Sequence, residues 1–294
     1  MEHFITWVAR RWFFLRYKGG VRDFTGVNLG DIDLRGANLR KTNLQEAKLE
    51  GADLTRADLR ESRLKKADLK YAKLEGANLK GADLQETRLQ EAQLQGANLE
   101  EAQLVGAYLE GAILRGANLK KANLQSAHLK GANLQGANFE QAYMVESFFY
   151  DANLKGAILR GANIKWTKFK GANLREADLT GADLEYADFE HAYLDRAILA
   201  HTRLREALFK GAKAQGVNME SANLTKAVLI EADLKEGNLL EAILCQADLT
   251  GADLQGANLS RVDFRKADLR GANLRGAQVE GANFEGADLE GATR

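Results

Sequence analysis

Proline is absent from all 294 residues. A proline cannot donate a backbone N–H to a neighbouring strand, so its absence fits a chain in which every backbone N–H is wanted for pairing. Cysteine occurs once, at Cys245, which excludes a disulfide framework and a cysteine metal site. The four histidines, His3, His128, His191 and His201, lack the short His or carboxylate spacing of a metal motif, and they read as surface residues. Glycines occur singly, not in a phosphate-cradling loop ahead of a helix. No metal and no other cofactor is expected. No run approaches the roughly 18 apolar residues of a membrane span. Neither sign of charge dominates, because 41 basic residues face 41 acidic ones. That balance argues against a general nucleic-acid binder, which needs a basic surface, and against a strongly acidic imitation of nucleic acid.

What the chain has in abundance is a period of five. From Phe24 to Leu289 an apolar centre falls on every fifth position through 54 pentapeptides, with a small residue, usually Ala, two places before it. Helices and strands bury residues at periods near 3.6 and 2, so five suits neither. If centre and small residue both point inward, each pentapeptide is a short extended piece followed by a two-residue corner. Gly recurs at that corner, at Gly36, Gly51, Gly76 and Gly81, where a type II turn needs a positive φ. A chain that turns every five residues and keeps its phase must coil on itself, each coil supplying the backbone partners of the last.

Tandem A-[ND]-L-x-x, as in Ala37-Asn38-Leu39-Arg40-Lys41 and Ala252-Asp253-Leu254-Gln255-Gly256, resembles the pentapeptide-repeat protein family over roughly nine tenths of the chain. The resemblance implies an all-β fold: a right-handed quadrilateral parallel β-helix with four pentapeptides per coil and about 13 coils. The expected organisation is a capping helix over residues 1–20 and one repeat domain over 21–294.

In the N-terminal segment, Phe4, Ile5, Val8, Trp12 and Leu15 share one arc of a helical wheel and are expected to cover the first coil, as terminal solenoid repeats require. A second face, Trp7, Phe13, Phe14 and Tyr17 among Arg10, Arg11, Arg16 and Lys18, is then left for a partner or an anionic membrane surface. The pair Arg10-Arg11 resembles a twin-arginine export signal but lacks the apolar region that would follow, and the expected location is the cytoplasm.

Stepping by 20 residues sorts the centres onto four faces. Phe149, Phe169, Phe189 and Phe209 then occupy one slot on consecutive coils and are expected to stack inside. Ala214 is the one Ala in a centre slot, with Val217 and Met219 placed to fill part of the space. Outward charges come to about −1, −5, +2 and −1 on faces one to four, with +4 on the segment through Arg22 and +1 from Arg294. A run of outward aromatics, Tyr143, Phe148, Tyr150, Trp166 and Tyr186, lies near the corner between faces one and two, with Leu208, Val228 and Ile230 farther along. Grouped exposed aromatics mark a contact surface for an unknown protein partner. At the other end the next centre slot falls on Arg294, so Leu274, Val279, Phe284 and Leu289 form an uncovered apolar tip. Open edges invite pairing, and a two-fold tail-to-tail homodimer is expected there; the resemblance points the same way. A β-helix hydrolase would need long loops to build a cleft, and the repeats carry no insertion, so catalysis is not expected. The expected function is a non-enzymatic scaffold that binds another protein along its side. The alternative, implied by resemblance to topoisomerase-protecting members of the family, is a DNA-shaped rod that occupies the DNA site of gyrase.

Overall fold

The computed structural model describes the chain from Glu2 to Arg294, with side chains described at Val8 and from Arg11 onward. The side chains of His3, Phe4, Ile5, Trp7 and Arg10 lie outside the described residues. Two compact units divide the chain, Met1–Tyr143 and Met144–Arg294.

Within each unit the pairing is parallel and offset by 20 residues, from Asp23↔Asn43 in the first to Asn273↔Thr293 in the second. Twenty residues are four pentapeptides, so each unit is a four-sided parallel β-helix. Its local rule follows from what each backbone N–H does. The N–H of Leu34, a centre, donates to Asp53 O of the next coil at 2.7 Å, and that of Gly36, at the corner, donates to Thr55 O at 2.9 Å. The N–H of Asn43 points the other way, to Arg22 O of the previous coil, and that of Ala37 closes the turn onto Leu34 O. One donor of the five remains, the residue just after the centre. The side chain before the centre takes it: Arg40 N donates to Asn38 Oδ1 at 3.2 Å, and Gln85 N to Asp83 Oδ1 at 3.1 Å. The Asn or Asp of the repeat is therefore the acceptor that completes the backbone account. A proline at the centre, at the corner or at either residue before a centre would delete one of these bonds.

Asparagine does a second job. In the first unit Asn118 Nδ2 donates to Asn98 Oδ1 and Asn98 Nδ2 to Asn78 Oδ1; in the second, Asn258 donates to Asn238 and Asn238 to Asn218. These ladders tie successive coils through side chains as well as backbone.

All 54 corners take a positive φ between 53° and 71°, as a type II turn demands. Thirty of them are not glycine. Each of those places a Cβ in the left-handed region, at a conformational cost of about 1 kcal/mol. The coil pairing overrides that preference.

Inward positions fill the core. In the second unit Phe149, Phe169, Phe189 and Phe209 stack with centroids 5.2, 5.1 and 4.8 Å apart, as the 20-residue step predicts. Ala214, Val217 and Met219 are all buried.

Helix α1, Glu2–Lys18, precedes the first coil. Its docked side is not the one the wheel suggests. Phe13 is fully buried, 4.4 Å from the Phe24 ring and 6.0 Å from Tyr17. Val8, Trp12 and Leu15, expected to face the coil, stay 44%, 41% and 63% exposed. Two apolar arcs competed for one partner. Phe13 is the side chain that buries itself on the Phe24 ring, with Tyr17 stacked on it, while Trp12 meets Phe24 only edge-on at 6.3 Å; Arg22 folds back over Tyr17 at 3.9 Å, its guanidinium donating to Tyr17 O.

Candidate functional site

In the second unit the corner after face one carries two large aromatics. Trp166 and Tyr186 occupy it on adjacent coils, at φ 61° each. Their rings lie parallel, 7° apart in tilt with centroids at 4.0 Å, and Trp166 remains 48% exposed. Two features anchor the pair. Trp166 N donates to Glu185 O at 3.1 Å, and the neighbouring Thr167 hydroxyl, buried, donates to Met144 O at 2.7 Å. Phe148 and Tyr150, on face two, form a looser stack at 6.2 Å. Leu208, Val228 and Ile230 are half-buried farther along that face.

Charges around these rings are spent on one another. Lys165 reaches Glu185 at 3.0 Å and Asp183 at 3.1 Å, Lys170 reaches Glu190 at 2.8 Å, and Lys168 lies 3.8 Å from Asp188. Hydrogen bonds from Glu185, then Asp183, hold the Lys165 ammonium above the usual lysine range, and Lys170 holds the Glu190 carboxyl below its own. What the patch offers a visitor is therefore ring surface, not free charge.

The structure places Trp166 and Tyr186 in one stacked pair and Phe148 and Tyr150 in another, both in the second unit. Tyr143 is exposed at the last position of the first unit. The repeat period also missed two outward stacks: Tyr108 on His128 at 5.1 Å in the first unit, and Arg175 over Tyr193 at 4.4 Å in the second. Stepping 20 residues along the outward positions would have found the first of these.

At the C-terminal coil Leu274 is buried, Phe284 and Leu289 are half-buried, and Val279 is 44% exposed. Leu274, Val279 and Phe284, with Gly276, Ala277 and Arg294, line a depression of about 220 Å³. Among the described residues no group of His, Cys, Asp or Glu could hold a metal ion, and no helix is long and apolar enough to cross a membrane.

A model of pentapeptide repeats matches the chain in eight copies that run from residue 23 to residue 291. The chain belongs to the pentapeptide-repeat family. Among solved structures it is similar to HetL, a pentapeptide repeat protein involved in heterocyst differentiation regulation from the cyanobacterium Nostoc sp. strain PCC 7120, with 28% identity, 95% of this chain and 94% of that one covered, and a TM-score of 0.32. It is also similar to QnrB1, a plasmid-mediated fluoroquinolone resistance protein, at 22% identity, 62% and 90% coverage and a TM-score of 0.35. A pentapeptide repeat protein from the Arabidopsis thaliana thylakoid lumen shares 35% identity over 39% of this chain and 70% of its own, with a TM-score of 0.20. A search of curated protein sequences gives no match. Family membership rests on the repeat match, not on these individual likenesses.

Proposed function

We propose that this pentapeptide-repeat chain is a non-enzymatic interaction protein whose second unit binds another protein through Phe148, Tyr150, Trp166 and Tyr186. The observation that carries the reading is the Trp166–Tyr186 stack. At a corner where glycine would relieve the backbone, two large rings stand side by side with one of them half in water. The positive φ is shared with the other non-glycine corners; what sets this one apart is that its side chains are two large aromatics stacked at the surface. Large aromatics in the middle of a patch are also the residues that dominate protein–protein binding energy. The surrounding ion pairs suit the rim of such an interface, where charges contribute little.

The test is cross-linked capture from cell extract with wild type beside Trp166→Ala/Tyr186→Ala. A genuine partner is expected to weaken by about 30-fold or more when the stack is lost, while the melting temperature stays close to wild type. Undiminished capture by the double variant would remove the patch from the interface. Inhibition of gyrase supercoiling by the purified chain would instead favour the DNA-site reading, against which the balanced charge counts.

The C-terminal depression is assigned in the same proposal to a second copy of the chain. An isologous contact through Leu274, Val279, Phe284 and Leu289 would cover both apolar coils at once. Sedimentation at micromolar concentration is expected to give a dimer that Phe284→Asp/Leu289→Asp converts to monomer; a monomeric wild type would end that assignment.

A further inference from the structure

Among the described residues of α1, Val8 and Leu15 turn to solvent on the side away from Phe13. At 100° per residue Val8, Trp12 and Leu15 fall within about 60° of one another, opposite the side on which Phe13 and Tyr17 dock. Leu15 is 63% exposed, and Trp12, which touches the edge of Phe24 at 6.3 Å, still leaves 41% of itself in solvent. Basic residues flank this apolar strip on both sides. Arg16 lies along one edge, its guanidinium 5.2 Å from the Trp12 ring, and Arg11 and Lys18 lie along the other, all three exposed. The segment through Arg22 carries a net charge of +4, whereas the whole chain is neutral.

We propose that α1 lies flat on an anionic lipid surface, with Val8, Trp12 and Leu15 in the acyl boundary and Arg11, Arg16 and Lys18 at the headgroups. Several observations converge on that occupant. The helix has 17 residues, and no helix among the described residues is long and apolar enough to cross a bilayer, so it can lie on a membrane without spanning it. An apolar strip bordered by Lys and Arg with a Trp on its rim is the composition of interfacial helices. Charge selects the lipid. A protein partner would be expected to bring carboxylates that pair with these cations singly, whereas an anionic leaflet answers all of them at once. Docking is compatible with folding as well. Phe13 keeps the opposite side fixed on Phe24, so the strip is presented by an already ordered helix and little ordering is needed at the moment of binding. The surface lies in the first unit and is independent of the aromatic patch in the second.

The experiment is co-sedimentation of the purified full chain with phosphatidylcholine vesicles, with and without phosphatidylserine. Wild type is expected to bind the anionic vesicles and to lose about tenfold or more in partitioning on phosphatidylcholine alone, or in high salt. Val8→Glu/Leu15→Glu should abolish binding while melting like wild type, since both side chains point outward. Lys18→Gln, which leaves the apolar strip intact, should weaken binding roughly fivefold. Absent binding by wild type, equal binding to both vesicle types, or undiminished binding by the folded double variant together with Lys18→Gln would each overturn the proposal.

Discussion

Phe24, Leu29, Leu34 and Leu39 are all buried, at 4% exposure or less, although no coil precedes them. At the far end of the second unit Val279, Phe284 and Leu289 are not, although they belong to the same kind of slot. The difference is α1. A β-helix coil buries its inward side chains against the coils on either side, so a terminal coil is half a core. On the first coil Phe13 of the helix packs on Phe24 at 4.4 Å; in the last coil Val279, Phe284 and Leu289 meet solvent, and their N–H groups have no carbonyl above them. Repetition builds the middle of a solenoid without help, but each end is a separate structural problem.

The comparison breaks most severely if the cap is removed. Phe13→Ala deletes a fully buried ring and is expected to cost about 3–5 kcal/mol by denaturant unfolding. Its counterpart, Phe284→Ala, removes a half-exposed ring that stacks on Phe264 at 5.0 Å, and should cost under about 2 kcal/mol. Equal losses at the two positions would mean that the last coil is as well covered as the first.

How much of this was legible in the sequence differs between middle and ends. The five-residue period placed every centre, the internal Phe column and the corner with positive φ, because those follow from a spacing that repeats 54 times. It did not say which arc of α1 would dock. Phe13 and Trp12 both reach the one ring of Phe24, at 4.4 Å and edge-on at 6.3 Å, and a preference settled at a single ring leaves no periodic trace. The role of Asn and Asp before the centre was readable in principle: residues such as Asn38 and Asp83 are short acceptors at the one place where a turn N–H lacks a backbone partner. The outward aromatics were visible as residue types, but the parallel packing of Trp166 on Tyr186 needed the corner geometry.

The corners show the same contrast between the ends on a smaller scale. Every corner of the last coil is glycine, Gly276, Gly281, Gly286 and Gly291, whereas the first coil turns at Gly26, Asp31, Gly36 and Lys41. Where a following coil accepts the corner N–H, pairing holds a side chain in the left-handed region; Lys41 N, for example, donates to Arg60 O at 3.0 Å. At the open end nothing above the corner supplies that hold, and glycine makes the same φ without strain. Gly276→Ala isolates the backbone contribution, because a Cβ there would meet no atom within 4 Å. It is expected to lower stability by about 1 kcal/mol. The reverse change at the covered end, Lys41→Gly, should raise stability by less than that, since it also gives up an exposed, weak 3.4 Å contact with Glu61 and adds freedom to the unfolded chain. Urea midpoints for the two variants decide it: a neutral Gly276→Ala, or a Lys41→Gly that destabilises, would show that corner strain is not what separates the ends.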